Sequence, residues 1–507
     1  MNTFKRNIFS FFGVAPELAG YAIARFSRTH KSLKDLILEL SQKDASNFYK
    51  TFYFKYKHNS VADLALGIFL FENVSNIARE FLWAHPLLSG MESSTRYLNF
   101  KERGVHLPEE IKNTRFQKDF EVLAEKMINS YYEFYLKLKD YFYKKFEKNH
   151  PKKKAENLAN NKAFDVARYL LPAGHYTNLG LIMSARTFED LVSNLLVHPL
   201  KEVREIAKEL QSTAACKKAF VPFEQNLNIL FEKLSKNKKL KPLLKNIKKH
   251  LPTNLKIFPT IATFVQPNNY RKKTLEKIEQ WASKNIKFKK IEDLCDKKVV
   301  LVKPHSLETE ILTTFLYKKT PFSYTQLLNF VESLSKKKRL ELFDLIYSER
   351  EEGDKLLEEV SSGYRLIFDI CSDFGAHKDL HRHRRCIEIA KDFNSLFGYE
   401  TPIIIKKMGL DKEYQNLMNR VQNFARRLES SKEKPLALSS GYLLGYGFRR
   451  RFLLKMDAFE LQYIVELRTR SEGHFAYREI AYLMYQEFKK RFPNQAKFIK
   501  AINPYEK

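Results

Sequence analysis

The order of predicted elements in the first half of the chain recurs in the second half. Each half carries paired helices, then a buried apolar helix, then a short polar or basic motif, and later a long helix with polar residues of its own. The apolar pattern predicts the buried helix over residues 61–83 and 351–373, and the long helix over 187–211 and 456–492. Such recurrence indicates an internal duplication at low identity, so we expect two related units in one chain.

The length of the chain supports this division, because 507 residues exceed what one ordinary hydrophobic core serves. We expect a first domain over residues 1–230, a connector over 231–298 and a second domain over 299–507. The connector differs in composition, since lysine dominates it and prolines recur along it. A short apolar run at 298–302 predicts a buried strand where the second domain begins. The expected fold class is α+β, rich in helices, with short sheets in two tandem domains.

The formal net charge of +30 and the pI near 9.6 predict an anionic partner, such as a nucleotide, a nucleic acid or an acidic membrane surface. Much of the excess charge is lysine in the connector, and a lysine-rich face is most often simply solvated. No helix-turn-helix, zinc-finger or RNA-recognition motif accompanies it in the sequence. Nucleic-acid binding is therefore the less favoured interpretation, although composition leaves it open.

The four cysteines, Cys216, Cys295, Cys371 and Cys386, are far apart in the sequence and form no C-x-x-C pair. Their spacing predicts neither a disulfide framework nor a structural zinc site, and no metal is expected. The longest uninterrupted apolar run, Leu64–Phe71, is less than half the length that crosses a membrane. We therefore expect a cytoplasmic protein without a membrane segment.

A polar motif follows the predicted buried helix of the first half. If residues 91–100 are extended, the alternation of a strand places Glu92, Ser94 and Arg96 on one face. This face suits an oxygen-rich anion, because the arginine can bind a phosphate as a bidentate fork and the glutamate can accept from a ribose hydroxyl or a base N–H. The alternative is a polar strand end on which the glutamate and the arginine pair with each other.

The corresponding position of the second half holds a basic motif, Arg382-His383-Arg384. Taken alone, such a run is typical of an exposed basic turn or a nucleic-acid patch. Its place behind a predicted buried helix matches the duplicated plan and favours a binding site. No catalytic histidine and acid can be assigned to the nearby Cys386, so we expect a buried thiol rather than a nucleophile.

The two motifs resemble the signature of the flavin-dependent (ThyX-type) thymidylate synthases, Arg-His-Arg-x-x-Ser-x-Asn-Glu-x-Ser-x-Arg-Tyr. In the first half the matching residues are His85, Ser89, Glu92, Ser94, Arg96 and Tyr97, whereas Ala84, Pro86 and Met91 replace the two arginines and the asparagine. The second half restores the Arg-His-Arg at 382–384, but Ala390, Asp392 and Asn394 replace the Glu, Ser and Arg. Each half has lost what the other keeps.

Weaker matches follow in the order of the same family. The segments Ala167-Arg168, Leu171-Pro172, Tyr176-Thr177 and Ser184-Ala185-Arg186 resemble its Ala-Arg, Leu-Pro, Tyr-Thr and Asn-Ala-Arg series. Leu467-Arg468 resembles the Leu-Arg of its late helix, and the first half has no arginine there. The resemblance implies two tandem ThyX-like domains, the first with the nucleotide motif and the second with the Arg-His-Arg motif.

Enzymes of this family are homotetramers whose sites form between subunits. The resemblance therefore implies composite sites shared by the two halves, and a homodimer that forms a pseudo-tetramer. The residues implied to hold dUMP are Glu92, Ser94, Arg96 and Arg168. Those implied to hold FAD are Ser60, Ser184, Arg186, Arg382, His383 and Arg384. Arg468 is implied to act in catalysis, by stabilising negative charge on the pyrimidine ring.

The implied reaction methylates dUMP to dTMP. Methylene-tetrahydrofolate supplies the carbon unit and FAD reduced by NADPH supplies the hydride, so the cofactor carries the demanding chemistry. Two alternatives stay open, because neither half keeps a full signature. One is a catalytically degenerate homologue that binds nucleotide or flavin without turnover. The other is a basic, helical nucleic-acid-binding protein.

Overall fold

The protein is described by a computed structural model in which helices surround two small sheets. The structure describes residues 13–506, apart from 27–28, 32, 41–44, 57, 218, 221, 238, 241, 245–254, 289–290, 292–294, 303–305 and 352–353. Part of the lysine-rich connector thus lies outside the described residues.

Both sheets are antiparallel. The first contains β1 Leu66–Ser75, β2 Ser89–Glu92 and β3 Tyr176–Ser184. The second contains β4 Val299–Val302, β5 Leu366–Asp373, β6 Ile387–Ala390 and β7 Arg449–Met456. The strand orders are β1-β3-β2 and β4-β5-β7-β6. The predicted strand at the start of the second half is confirmed as β4.

Helices occupy most of the remaining described chain. Up to the end of the first half they are α1 Pro16–Phe26, α2 Leu33–Leu40, α3 Ser46–Phe48, α4 Ser60–Asp63, α5 Asn76–Leu82, α6 Gln117–Phe146, α7 Lys152–Ala167, α8 Ala185–Leu195, α9 Lys201–Ala215 and α10 Pro222–Ser235. A π-helix, Tyr49–Lys55, and a 3₁₀ turn, Arg168–Leu170, also lie here.

The later helices are α11 Ile261–Phe264, α12 Asn269–Asn285, α13 Leu307–Lys319, α14 Tyr324–Ser333, α15 Lys336–Tyr347, α16 Phe374–Leu380, α17 Ile403–Lys407, α18 Asp411–Glu429, α19 Lys434–Leu438, α20 Ala458–Arg468, α21 Phe475–Arg491 and α22 Pro493–Ala496. Two 3₁₀ turns, Glu358–Val360 and Ser439–Tyr442, complete this set.

The two halves repeat one strand–helix arrangement. Strand β1 runs directly into α5, and β5 runs directly into α16. In both, the last strand residue caps the helix: Ser75 Oγ accepts from the backbone N–H of Ala78 at 2.9 Å, and Asp373 Oδ1 accepts from that of Ala376 at 2.9 Å. A short edge strand follows each helix, and a long central strand comes later. The predicted tandem duplication and the α+β class are thereby confirmed.

The prediction of two buried helices is wrong. Residues 61–83 are mainly strand β1 followed by α5, and residues 366–373 are strand β5. Every residue of β5 is buried, and a run buried on both faces carries no period that separates a strand from a helix. In β1 both faces are apolar although one is exposed, so the sequence lacks the polar alternation of a half-buried strand.

The predicted long helices are both divided. The break expected near His198 is confirmed, because α8 ends at Leu195 and α9 begins at Lys201. The continuous helix expected over 456–492 is wrong, since β7 ends at Met456 and α20 and α21 are separated by a turn that contains Gly473.

The second sheet is covered on its outer face by helices. Ile367 of β5, Ile389 of β6 and Leu453 of β7 share a hydrophobic cluster with Trp281 of α12 and Phe315 of α13. Helices α14 and α15 contribute to the same cluster. Residues that precede and follow β4 thus form a helical layer over this sheet.

The first sheet has no such layer among the described residues. Its outer face exposes an apolar patch, here called the bare sheet face, formed by Leu66, Ile68 and Leu70 of β1, Met91 of β2 and Ile182 of β3. Leu70 at its centre is 80% exposed and lies opposite Gly180, which offers no side chain to cover it. An exposed apolar surface of this kind is typical of an interface.

A disulfide joins Cys295, just before β4, to Cys371 of β5, with the two Cα atoms 5.4 Å apart. The sequence-based prediction of no disulfide framework is therefore wrong. A pairing across 76 residues has no local spacing signal, so the sequence could not reveal it. Cys216 and Cys386 are free, and Cys386 is buried as predicted.

The two halves pack against each other through a shared core. The backbone N–H of Gly174 donates to the carbonyl of Tyr442 at 2.7 Å, and Pro172 forms an antiparallel bridge with Gly445. A Cβ at Gly174 would lie 2.6 Å from that carbonyl, so only glycine permits this approach. Within the described part of the chain, no helix has the length and apolar character to cross a membrane.

Candidate functional site at the contact between the halves

Glu92, at the end of β2, is buried at the contact between the halves. Its Oε2 lies 2.9 Å from Arg79 Nε of the first half, and its Oε1 lies 2.9 Å from both Lys378 Nζ and Arg382 Nη2 of the second half. Burial raises the pKa of Glu92, but these three cations outweigh it and lower the pKa to about 2. Glu92 is therefore an ionised centre that holds α5, α16 and the Arg-His-Arg motif together.

Arg96 connects to the second half through a different route. Its guanidinium forms a bidentate ion pair with Asp165, with Nε 2.7 Å from Oδ1 and Nη2 2.9 Å from Oδ2. The remaining nitrogen, Nη1, donates to the hydroxyl of Tyr477 at 3.3 Å. Nη2 also donates to the carbonyl of Glu472 at 3.2 Å. Arg96 remains partly exposed, so a ligand can reach it.

Ser94 does not lie on a strand face with Glu92 and Arg96, because β2 ends at Glu92 and a turn begins within three residues. The hydroxyl of Ser94 instead accepts from the backbone N–H of Arg96 at 3.3 Å and shapes that turn. The predicted alternation is therefore wrong from residue 93 onwards. The alternative in which Glu92 pairs with Arg96 is also wrong, since each has other partners.

Arg168, in the 3₁₀ turn after α7, is fully buried. It donates to Asp379 of α16 at 3.0 Å and to the hydroxyl of Thr95 at 3.3 Å. Burial opposes the charge of Asp379, but Arg168 and then Lys378 outweigh it and hold the pKa of that carboxyl well below its usual range. The Nε of Arg168 has no hydrogen-bond partner in the described structure. Arg168 joins the halves but is not accessible as the structure stands.

Arg468, at the end of α20, donates from Nε to His383 Nε2 at 2.9 Å, and His383 Nδ1 lies 3.0 Å from Glu460. Because Arg468 needs an acceptor, His383 is neutral with its proton on Nδ1, a tautomer assigned from these contacts. Burial and then Arg468 lower the pKa of His383, which Glu460 only partly offsets. The chain Glu460–His383–Arg468 orients the guanidinium.

Tyr477 of α21 lies between arginines of both halves. The guanidinium carbons of Arg96 and Arg468 are 5.9 Å and 5.3 Å from the centre of its ring. The two arginines that the sequence assigned to nucleotide binding and to catalysis, 372 residues apart in the chain, thus contact one aromatic side chain. The structure therefore assembles motif residues of both halves in one place.

Arg384 lacks an acidic partner among the described residues. It lies over the ring of Trp83 at 5.1 Å, and its Nη1 donates to the backbone carbonyl of His85 at 3.3 Å. Its Nη2 is buried without a hydrogen bond. Burial lowers the pKa of Arg384 to about 10. An uncompensated guanidinium with a free donor is suited to binding an anion.

The remaining predicted FAD residues lie elsewhere. Arg186 Nη1 and Ser184 Oγ are each 3.1 Å from Asp63, and Ser60 is exposed at the start of the helix that ends at Asp63. On β3, Ser184 is five residues from Leu179, which pairs with Glu92, or about 16 Å along the strand. Within one chain, the structure does not bring these three residues to the Arg-His-Arg motif.

Sequence reasoning missed the groups that pair with the motif residues. These are Arg79 and Lys378 around Glu92, Asp165 and Asp379 opposite the arginines, and Tyr477. One signal was available, because Arg79 and Glu80 interrupt an otherwise apolar segment that was predicted to be buried. A charged residue at a buried position is rarely without a partner or a role.

Comparison with known proteins decides the family. A family model described as thymidylate synthase complementing protein (Thy1) matches residues 14–219 and 358–494. The chain belongs to this family. The resemblance to ThyX-type proteins is thereby confirmed, and the two matched ranges each contain one copy of the strand–helix arrangement.

Two relatives found by sequence comparison are described as UPF0159 proteins. One from Chlamydia pneumoniae is 24% identical over 487 residues, covering 92% of this chain and 82% of its own length. Another, from Thermoplasma acidophilum, is 23% identical over 518 residues, covering 96% and 95%. The sequence match thus covers most of the length of both relatives.

Two solved structures are similar to part of the chain. ThyX from Helicobacter pylori, crystallised with FAD and dUMP, is 16% identical with a TM-score of 0.28 and covers 40% of this chain and 91% of its own. The UMP/dUMP methylase PolB from Streptomyces cacaoi, bound with 5-Br dUMP, is 17% identical with a TM-score of 0.27 and covers 39% and 83%.

Proposed function

We propose that this Thy1-family protein binds dUMP and FAD at a composite site between its halves and methylates dUMP to dTMP, with methylene-tetrahydrofolate and NADPH as co-substrates. The observation that carries the proposal is the meeting of the split signature. Glu92 of the first half pairs with Arg382 of the second, and Arg96 and Arg468 share Tyr477. Neither half alone contains these contacts.

Arg384 and Arg382 are the residues we assign to the FAD pyrophosphate. Arg384 has no acidic partner in the described structure, and Arg382 leaves its Nε without a hydrogen bond although its Nη2 pairs with Glu92. Both side chains are partly exposed, so an anion can approach the two guanidinium groups, although the two nitrogens without partners are themselves buried. Arginine is suited to this role, because its planar fork matches phosphate oxygens.

Arg96 and Arg468 are the residues we assign to dUMP. Arg96 presents a partly exposed guanidinium edge toward Tyr477, and Arg468 is held there by His383. A fixed guanidinium beside the pyrimidine stabilises negative charge as it develops on the ring, without reorganisation during the reaction. When bound, reduced FAD supplies the hydride.

One set of contacts favours a second candidate, a homologue that binds ligand without turnover. Asp165 already occupies the fork of Arg96, three cations occupy Glu92, and Asp379 neutralises Arg168. A nucleotide must displace these carboxylates or bind beside them. If it binds beside them, the pyrimidine can miss the catalytic geometry, and small misplacements cost a large part of the rate.

Flavin binding is tested by the visible spectrum of the purified protein and by quenching of FAD fluorescence. We expect a bound-flavin absorption band, and an affinity that falls on the order of tenfold or more in Arg384→Ala, a loss of about 1.4 kcal/mol or more. Arg385→Ala is the matched control, because Arg385 is exposed and pairs with Asp457 at the surface. Absence of flavin uptake by the native chain would overturn the proposal.

Turnover is tested by tritium release from dUMP labelled at C5, with methylene-tetrahydrofolate and NADPH present. We expect tritium release by the native protein and its loss in Arg96→Ala and Arg468→Ala. Arg470→Ala is the control and should keep the activity, because Arg470 is exposed in the turn that follows α20. Full activity in Arg468→Ala would disprove the composite site. Binding of dUMP without release would favour the second candidate.

We further propose that two copies of the chain associate through the bare sheet face. In the second half the equivalent outer face is apolar and is buried under α12–α15. Ser184 and Arg186 lie at one end of the exposed sheet and are missing from the composite site of their own chain. A second copy packed on this face is our proposed means of bringing them to a flavin held by the first.

A further inference from the structure

A cluster of ligating side chains lies next to the composite site but takes no part in it. His377 and His381 are four residues apart, in α16 and at its C-terminal end, and Glu388 lies on β6. His377 Nε2 and His381 Nδ1 are each 3.0 Å from the same oxygen, Oε1 of Glu388. One ligand atom of each of the three residues lies within 4.8 Å of the others.

The cluster is sheltered and only partly satisfied by hydrogen bonds. The side chain of His377 is 1% exposed, and those of His381 and Glu388 are 10% and 14% exposed. The second oxygen of Glu388, Oε2, and the outer ring nitrogens of both histidines have no hydrogen-bond partner in the described structure. Buried polar atoms without partners are uncommon in proteins and call for a specific explanation.

The cluster offers two imidazoles and one carboxylate, donor types that first-row transition-metal ions accept. The next charged groups are Glu80 and Arg450, which pair with each other, and the ring of Phe452 packs against His377 at 4.6 Å.

We propose that His377, His381 and Glu388 bind one divalent transition-metal ion of the zinc class. Two imidazoles one helical turn apart and a carboxylate from a neighbouring element form the donor set of three-ligand zinc sites, with a fourth position left for water. Ligand atoms about 2.0–2.1 Å from a tetrahedral zinc ion lie roughly 3.3 Å apart, close to the observed 3.0 Å. Small rotations of the side chains suffice to admit the ion.

The position of the ligands gives the ion a role. His381 and Glu388 directly bracket the turn that carries Arg382, His383 and Arg384. An ion held by both would fasten the end of α16 to the edge strand β6 and fix the direction of these arginines. The three ligands are then positioning residues for the Arg-His-Arg motif. Metal binding by these three residues is measured without flavin or dUMP, so its outcome is independent of the proposed function.

The test uses the full chain without a polyhistidine tag, treated with a chelator and then titrated with Co²⁺ and Zn²⁺. We expect one Co²⁺ per chain with visible d–d absorption, displacement of that band by Zn²⁺, and a rise of the thermal unfolding midpoint with Zn²⁺. His381→Gln and Glu388→Gln should each weaken the affinity on the order of tenfold or more. His150→Gln, which alters a histidine between α6 and α7, should bind as the native chain does.

Glu388→Gln keeps the shape of the side chain, so it carries the test if His381→Gln fails to fold. Circular dichroism establishes the fold of each variant before titration. A native chain that takes up no stoichiometric Co²⁺ or Zn²⁺ would show that the cluster is only hydrogen-bonded. Unchanged affinity in folded Glu388→Gln would show that the ion binds elsewhere, and either result overturns the assignment.

Discussion

At the scale of single residues, the split signature is joined by ion pairs rather than left as free binding groups. Sequence reasoning identified Glu92, Arg96, Arg382 and Arg468, because each stands at a recognisable motif position. It could not identify Lys378, since no local pattern records a partner 286 residues away from Glu92. A motif shows in the sequence which residue stands at a position, whereas the residue that pairs with it is known only from the folded structure.

Glu92→Gln is expected to destabilise the protein by about 3–5 kcal/mol. The change leaves Arg79 and Lys378 buried at the contact between the halves without their shared carboxylate, and uncompensated buried charge is costly. Urea unfolding followed by circular dichroism measures the loss. Glu72→Gln, at an exposed position of β1, is the control and should change the stability little. A similar loss in both variants would contradict the role assigned to Glu92.

The same carboxylate predicts a pH dependence. The folded-state pKa of Glu92 is lowered to about 2 from an unfolded value near 4.5, so its contribution is present above the unfolded pKa and is lost as the pH falls toward 2. A depression of this size corresponds to roughly 3 kcal/mol. Urea unfolding of native and Glu92→Gln proteins between pH 6 and pH 3 should show their difference shrinking in the acid range. If the difference in unfolding free energy stays constant with pH, the stabilisation does not come from the ionised carboxylate of Glu92.

At the scale of elements, the sequence correctly predicted that the two halves repeat one another, but it predicted helices where β1 and β5 are strands. The runs that became β1 and β5 are apolar on both faces, so the pattern that usually separates strands from helices was missing. The capped helices that follow them were hidden for the same reason, although Ser75 and Asp373 are suitable cap residues. Packing in the folded protein, which the sequence does not show, determined that these two runs are strands.

The disulfide between Cys295 and Cys371 leads to a prediction at this scale. It closes a loop of 76 residues and ties the segment before β4 to β5, so its reduction should lower the free energy of unfolding by up to about 4 kcal/mol. Denaturation with and without a phosphine reductant measures the effect, and thiol titration under denaturing conditions should count two free thiols before reduction and four after. Cys371→Ser should lose the effect of the reductant, whereas Cys216→Ser, at an exposed free cysteine, should keep it.

At the scale of the whole molecule, the two related units differ in how their sheets are covered. The second sheet carries a helical layer on its outer face, whereas the first sheet exposes Leu70 and its neighbours. If two copies associate as proposed, the assembly contains four such units. The bare sheet face is suited to that contact, because it is apolar and formed by residues of three strands.

Native protein should be a dimer by light scattering, and Leu70→Lys should shift it to a monomer, because a buried ammonium opposite Gly180 would be uncompensated. Leu340→Lys, at an exposed position of α15, is the matched control and should remain dimeric.

If the copies also share flavin residues, a mixture of the variants Arg186→Ala and Arg384→Ala should recover activity that neither shows alone. When the two variants are dissociated and reassociated together, each mixed dimer contains one site in which both Arg186 and Arg384 are intact. A native protein that is monomeric would contradict both the dimer and this complementation.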